Sequence, residues 1–174
     1  MTNSAPLIVL VGFMGAGKTV VGRALAAQLG ADFIDLDELI VEFSGRSISR
    51  IIEEDGEAIF RLIETDLLAM ILDATRNEAL VIATGGGTWL TERNRINLHE
   101  HNSFTVWLDA GFELCWQRIV NEGSTRPLAR DEQSARTLYE ARREIYQLAT
   151  LRIEITSALD AEEIARLIIE GHNR

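Results

Sequence analysis

Gly12-Phe13-Met14-Gly15-Ala16-Gly17-Lys18-Thr19 is the stretch on which the reading of this chain turns. Two glycines with four residues between them, Gly12 and Gly17, followed by Lys-Thr, make a Walker A phosphate-binding loop. Lys18 is the only lysine in 174 residues, and every other fixed basic side chain is an arginine. A chain so poor in lysine that places one here points to a chemical need for it. A compact ammonium on a flexible stem can reach over the bridging oxygens of a polyphosphate while backbone N–H groups wrap the rest. Gly12, Gly15 and Gly17 permit positive φ and close approach to the ligand. Thr19 offers a hydroxyl to Mg²⁺, and a helix starting near Lys18 points its first donors at the anion. The motif carries weight only between a strand and a helix, and both flanks qualify. Leu7–Val11 reads as a buried strand and Val20–Leu29 as an amphipathic helix, which argues against a chance glycine-rich turn.

Outward from the loop, strand-like and helix-like segments alternate. The strand candidates are Leu7–Val11, Asp32–Asp35, Ala79–Ala83, Thr105–Leu108 and Arg152–Ile155, apolar enough to be buried on both faces as in parallel sheets. Helices are predicted over Val20–Leu29, Glu38–Phe43, Glu57–Ala74, Phe112–Val120, Ser134–Thr150 and Asp160–Ile169. Asp160 and Glu163 form a capping-box pattern ahead of an apolar-periodic run. Alternation with right-handed crossovers gives a three-layer α/β sandwich, whose ligands bind at the carboxyl ends of the strands.

The bulk properties narrow the function. A length of 174 residues and 47% hydrophobic content fit one domain, taken as residues 1–174. A net charge of −10 argues against nucleic-acid and anionic-membrane partners. The single cysteine, Cys115, excludes an internal disulfide, fits a reducing compartment and is expected to pack as a small apolar residue. No leader or membrane-length apolar run is visible, so the expected location is the cytoplasm.

Further candidates sit where the sheet's carboxyl ends should be. Asp35 and Asp37 follow the second strand at alternate positions, so both carboxylates can enter one cleft. One would then serve a metal and the other the attacking hydroxyl; the alternative is that one caps the next helix. Arg61 and Glu64 are helical neighbours, either a solvated pair or an arrangement in which Glu64 orients Arg61 toward a substrate carboxylate. Thr84-Gly85-Gly86-Gly87 ends the third strand, and three glycines there suit close backbone contact with a ligand, or else a simple loop. Thr84's hydroxyl is within expectation of a metal-bound water. Asn121–Leu128 reads as a mobile loop carrying Arg126, with the lid placed at about residues 121–134. Arg142 and Arg143 are adjacent on a helix near Tyr139 and Tyr146, and one of them is expected in the cleft. His99 and His101 lack the spacing of a helical metal site and suit a surface turn.

Taken in order, these segments resemble the shikimate kinase family along nearly the whole chain. The Walker A loop is followed by Val21-Gly22-Arg23-Ala24-Leu25-Ala26, Phe33-Ile34-Asp35-Leu36-Asp37, Gly45-Arg46-Ser47-Ile48 and Gly56-Glu57-Ala58-Ile59-Phe60-Arg61 with Glu64. Val81-Ile82-Ala83-Thr84-Gly85-Gly86-Gly87 and Arg126-Pro127-Leu128 complete the series. The resemblance implies a nucleoside-monophosphate-kinase-like fold, a five-stranded parallel sheet of order 2-3-1-4-5. It implies transfer of the γ-phosphoryl of ATP, with Mg²⁺, to the 3-hydroxyl of shikimate by a monomer. Gly12, Gly15, Ala16, Gly17, Lys18 and Thr19 would bind the nucleotide, with Arg118 against adenine and Arg126 closing from the lid. Thr19 and Asp35 would serve the metal. Asp37, Lys18 and Arg126 would be catalytic. Asp37, Arg61, Gly85, Gly86, Gly87 and Arg142 would bind shikimate, within a subregion of about residues 36–65 walled by Ile48, Ile52 and Phe60. The family's Arg-x-Pro-Leu-Tyr run is replaced by Arg142-Arg143-Glu144-Ile145-Tyr146, so the choice of Arg142 follows its spacing to Tyr146. Ala129 stands where another leucine is common.

Two rival functions remain on sequence grounds. One is a related kinase for gluconate or a nucleoside monophosphate, against which two convergent arginines argue. The other is a non-catalytic sensor of ATP or an aromatic metabolite, which would tolerate loss of Lys18, Asp37 or Arg126.

Overall fold

In the computed structural model, which describes residues 5–75, 78–121 and 131–174, the run Leu7–Val11 is strand β1. It pairs in parallel with β3 (Leu80–Ala83) on one edge and β4 (Phe104–Ala110) on the other. Ile8 to Val11 are fully buried, which is why this segment carries no polar residue. Beyond β3 lies β2 (Asp32–Asp35), and beyond β4 lies β5 (Leu151–Ile155). The order is β2-β3-β1-β4-β5 with every neighbouring pair parallel, matching the implied sheet.

Among the described residues, eight α-helices complete the layers: α1 (Lys18–Leu29), α2 (Leu36–Ser44), α3 (Ile48–Asp55), α4 (Glu57–Ala74), α5 (Glu92–Glu100), α6 (Phe112–Asn121), α7 (Glu132–Tyr146) and α8 (Ala161–His172). The capping box expected at Asp160 and Glu163 forms and starts α8. A second one, unpredicted, joins Asp131 to Ser134, so α7 begins earlier than Ser134. It also ends at Tyr146, short of the expected Thr150, because Leu151 must already enter β5. β4 is longer than Thr105–Leu108, since β5 offers it pairing as far as Ala110. The helices α3 and α5 were not singled out in the sequence; α3 is a short helix capped by the Ser47 hydroxyl. Among the described residues, no helix is long and apolar enough to cross a membrane.

This topology gathers the candidates. β1 runs into Gly12, β2 ends at Asp35 and β3 ends at Ala83, just before Thr84-Gly85-Gly86-Gly87. All three strands are parallel, so their carboxyl ends open on one cleft.

Candidate active site

The phosphate loop leaves β1 and turns into α1 through Gly17, whose φ is 96°, with Gly15 at 76°. Both values lie in the left-handed region that favours glycine. Gly15 is also close-packed: a methyl group built on it would lie 2.6 Å from the Cys115 carbonyl oxygen. Lys18 is 9% exposed, and its Nζ donates to the carbonyls of Gly12 (2.9 Å) and Phe13 (2.8 Å). The ammonium is thus already folded back over the loop. Arg118, from α6, donates to the Gly15 carbonyl at 3.0 Å, which brings it beside Gly17. Cys115 packs beneath the loop as an apolar residue, and burial pushes its thiol up to about 11.

Asp35 caps the next helix and also meets Thr19. Its Oδ1 accepts from the backbone N–H groups of Asp37 (3.0 Å) and Glu38 (3.3 Å), capping α2, while its Oδ2 accepts from Thr19 Oγ1 at 2.6 Å. The strand extension expected after Asp35 is absent. The helix begins at Leu36, and Asp37 reaches the cleft from the first turn of α2. Thr84 Oγ1 donates to the Leu10 carbonyl at 2.9 Å, so its hydroxyl proton joins β3 to β1 rather than facing a metal-bound water.

At the other end of the cleft, each of three consecutive glycines lies against a different charged group. A methyl on Gly85 would sit 2.7 Å from Asp37 Oδ1 and 2.8 Å from Glu64 Oε1. One on Gly86 would be 3.3 Å from Arg142 Nη1, and one on Gly87 would overlap the Arg61 guanidinium. Glu64 is 0% exposed and accepts from Arg61 Nη1 at 2.9 Å. Burial works against the Arg61 charge, but Glu64 and then Glu57 outweigh it and hold the guanidinium above its ordinary value. Arg142 is only 5% exposed, and burial, with the nearby Arg61 charge adding to it, holds its guanidinium below the ordinary value. Its Nη1 donates to the Gly86 carbonyl at 3.2 Å, while its buried Nε has no hydrogen-bond partner among the described residues. Tyr146 also donates its hydroxyl to Gly86 O.

Arg143 points elsewhere. It pairs with the buried Asp109 of β4, at 2.7 Å and 3.2 Å, and lies over Trp107 and Tyr139. Arg152 joins the same carboxylate at 2.6 Å. The structure therefore separates the two neighbours on α7, with Arg142 in the cleft and Arg143 on the sheet.

The cleft has a volume of about 870 Å³ and takes in the loop residues Gly15 to Thr19 with Asp35, Asp37, Arg61, Gly85 to Gly87, Arg118 and Arg142. Ile48, Ile52 and Phe60 line it as expected. Ser49, Ile155, Leu159, Asp160 and Ala161 line it too, and the sequence reading missed them. The Asp160 capping box was the available signal, because it announces a helix start at the sheet's carboxyl edge. Arg126, with most of the lid segment, lies outside the described residues. His99 lies in the last turn of α5, and His101 Nδ1 donates to the Asn97 carbonyl, 2.8 Å away, at that helix's end.

Comparison with known proteins follows the same line. A sequence model of the family described as shikimate kinase matches residues 14–172. The chain is similar to the shikimate kinase of Nostoc punctiforme, with 42% identity over 164 residues, 92% of this chain and 87% of that one. Its structure is similar to a shikimate kinase from Acinetobacter baumannii solved in complex with shikimate (TM-score 0.88, 38% identity, 96% of this chain and 92% of that one). It is also similar to a shikimate kinase from Bacteroides thetaiotaomicron (TM-score 0.84, 28% identity, 97% and 99% covered). The likeness to a gluconokinase from Sinorhizobium meliloti is weaker (TM-score 0.63, 21% identity, 98% of this chain and 93% of that one) and extends to the fold alone. The chain belongs to the shikimate kinase family, whose reaction is the ATP-dependent phosphorylation of the 3-hydroxyl of shikimate in aromatic amino-acid biosynthesis.

Proposed function

We propose that shikimate binds with its carboxylate between Arg61 and Arg142, its ring over Gly85–Gly87 and against Ile48, Ile52 and Phe60, and its 3-hydroxyl at Asp37. The observation that carries this reading is the glycine-backed charge array, in which bare backbone lets the Arg61 and Arg142 guanidiniums and the Asp37 carboxylate crowd one wall of the cleft. Arg142 is buried and repelled by Arg61, so an anion shared by the two relieves both. A planar fork on each side suits bidentate grip of a carboxylate.

ATP then lies at the other end, with its phosphates in the loop Gly12, Gly15, Ala16, Gly17, Lys18 and Thr19. Adenine sits near Arg118 and the apolar side chains of Ile155 and Leu159. Lys18 exchanges the carbonyls of Gly12 and Phe13 for phosphate oxygens. Thr19 and Asp35 supply the hard oxygen donors that suit Mg²⁺, an ion that keeps several waters and binds through one or two carboxylates plus phosphates. Such an ion would be shared between these oxygens and the phosphates. Bound there, it would neutralise charge on the β- and γ-phosphates.

Phosphoryl transfer leaves the protein mainly positioning and charge to manage. Asp37 aligns the 3-hydroxyl in line with the γ-phosphorus and takes its proton late, as bond formation proceeds. Lys18, and Arg126 from the lid, stabilise the equatorial oxygens. The same reading takes residues 1–174 as one catalytic domain working as a cytoplasmic monomer, without nucleic-acid or membrane partners. The test is Asp37→Asn in a coupled ADP-release assay with a calorimetric ATP titration beside it. Turnover should fall about 10³-fold with ATP affinity held within about twofold. Near-normal turnover rejects the role.

A further inference from the structure

We propose that Thr88 is a positioning residue for the substrate carboxylate: its hydroxyl fixes Glu64, and Glu64 aims Arg61. The inference rests on the reading of Arg61 just given and extends it by one residue.

Thr88 is fully buried and follows the three glycines directly. Its Oγ1 donates to Glu64 Oε1 at 2.5 Å, a length typical of a hydroxyl on a carboxylate. The other oxygen of Glu64 accepts from Arg61 Nη1 at 2.9 Å. A carboxylate with no exposure is therefore stretched between one hydroxyl and one guanidinium. The hydroxyl end is anchored. The Thr88 N–H donates to Gly85 O at 3.2 Å, and the Thr88 carbonyl accepts from Asn94 Nδ2 at 2.9 Å. The following carbonyls, of Trp89 and Leu90, accept from Arg95 Nη1 at 2.7 Å and 2.8 Å. Two residues of α5 thus pin the 3-10 turn that carries Thr88.

Arg61 has a competing partner. Glu57, half-exposed one helical turn earlier, accepts from Arg61 Nε at 3.3 Å and Nη2 at 3.1 Å. Glu57 draws the guanidinium toward solvent and Glu64 holds it against Gly87. Without the Thr88 hydroxyl, Glu64 loses the donor that sets its plane, and the balance moves to Glu57. Arg61 then meets the carboxylate off-axis, which weakens substrate binding and leaves the phosphoryl donor untouched.

The test compares shikimate with its methyl ester, which lacks the carboxylate charge, as substrates for Thr88→Val, Thr88→Ala and Thr88→Ser. Removal of a charge-assisted hydrogen bond should raise KM for shikimate about tenfold in Thr88→Val and Thr88→Ala, with kcat and KM for ATP within about twofold. Thr88→Ser, which keeps the hydroxyl, should stay near the native values. The ester should show no such penalty, because it has no carboxylate for Arg61 to grip. A purely structural role would lower the melting temperature and affect acid and ester alike; that result overturns the proposal. Should Thr88→Val not fold, Thr88→Ala against Thr88→Ser isolates the hydroxyl. Native enzyme that fails to prefer the acid over the ester overturns the carboxylate reading itself. A native preference retained in full by Thr88→Val or Thr88→Ala overturns the role of Thr88 alone.

Discussion

At the end of the cleft proposed for the nucleotide, one ammonium and a run of backbone N–H groups come from eight consecutive residues, Gly12 to Thr19. At the end proposed for the acceptor, Asp37, Arg61, Glu64, Gly85 to Gly87 and Arg142 come from α2, α4, the loop after β3, and α7. The first end works by backbone conformation, held in place by positive φ at Gly15 and Gly17. The second works by side-chain charge brought up against bare backbone. Nucleotide binding is therefore most exposed to changes that alter the backbone path, and acceptor binding to changes that move a side chain by an ångström.

A matched pair of glycine substitutions is the strongest way to break that contrast. Gly15→Ala combines a φ of 76° with a methyl 2.6 Å from the Cys115 carbonyl, so backbone must shift. It should raise KM for ATP by about 10–100-fold and cost about 1–3 kcal/mol of stability. Gly87→Ala has φ −107°, open to any residue, and its three nearest contacts are all atoms of the Arg61 guanidinium, the far end of a flexible side chain. It should raise KM for shikimate by a similar factor, about 10–100-fold, with stability nearly intact. Steady-state kinetics with each substrate varied, beside thermal melts, separate the two. Equal effects on both substrates from either variant would erase the distinction between the ends.

The two adjacent arginines of α7 sharpen the contrast within a single helix. Arg142→Lys should raise KM for shikimate about tenfold, because an ammonium cannot reproduce a planar two-point grip. Arg143→Lys should change that KM less than about twofold and lower stability by about 1 kcal/mol, since Arg152 still partners Asp109. Exchange of the two outcomes would reverse the placement of the carboxylate.

The smallest effect is expected from Tyr146→Phe. Loss of its hydrogen bond to Gly86 O should cost about 1 kcal/mol, with Arg142 still donating to that carbonyl. Burial pushes the Tyr146 hydroxyl up to about 12 from its ordinary 10.0, so the fold favours the neutral phenol. That contribution is complete below pH of about 10 and is lost as pH climbs toward about 12. Urea unfolding at pH of about 9 and about 11 should show the native protein losing more stability than the Phe variant over that interval. Parallel losses would mean that Tyr146 is not the group responsible.

Much of this was legible in the chain because it is local. The Walker A loop, the Asp35 and Asp37 spacing and the glycine run after β3 are short patterns whose geometry follows from neighbouring residues. The Asp160 capping box also announced α8 correctly. Asp35 was harder, because its two oxygens do two jobs, and only the distance to Thr19 shows both. The pairing of Arg143 with Asp109 joins residues 34 apart in sequence, and Thr88 meets Glu64 across 24. Neither leaves a periodic trace. The ends of α7 and β4 were misplaced for a similar reason: a strand partner and a side-chain cap decided them, not propensity.

The amino-acid sequence by itself determined the α/β alternation, the phosphate loop with its single lysine, and the family to which the chain belongs. Burial periodicity and short motifs act over a few residues, so they can be read in line. Only the tertiary structure decided which of two neighbouring arginines enters the cleft, that Asp35 both caps a helix and holds Thr19, and that Thr88 stands behind Glu64. Those outcomes depend on where parallel strands and their helices place distant side chains, and linear spacing does not encode that distance.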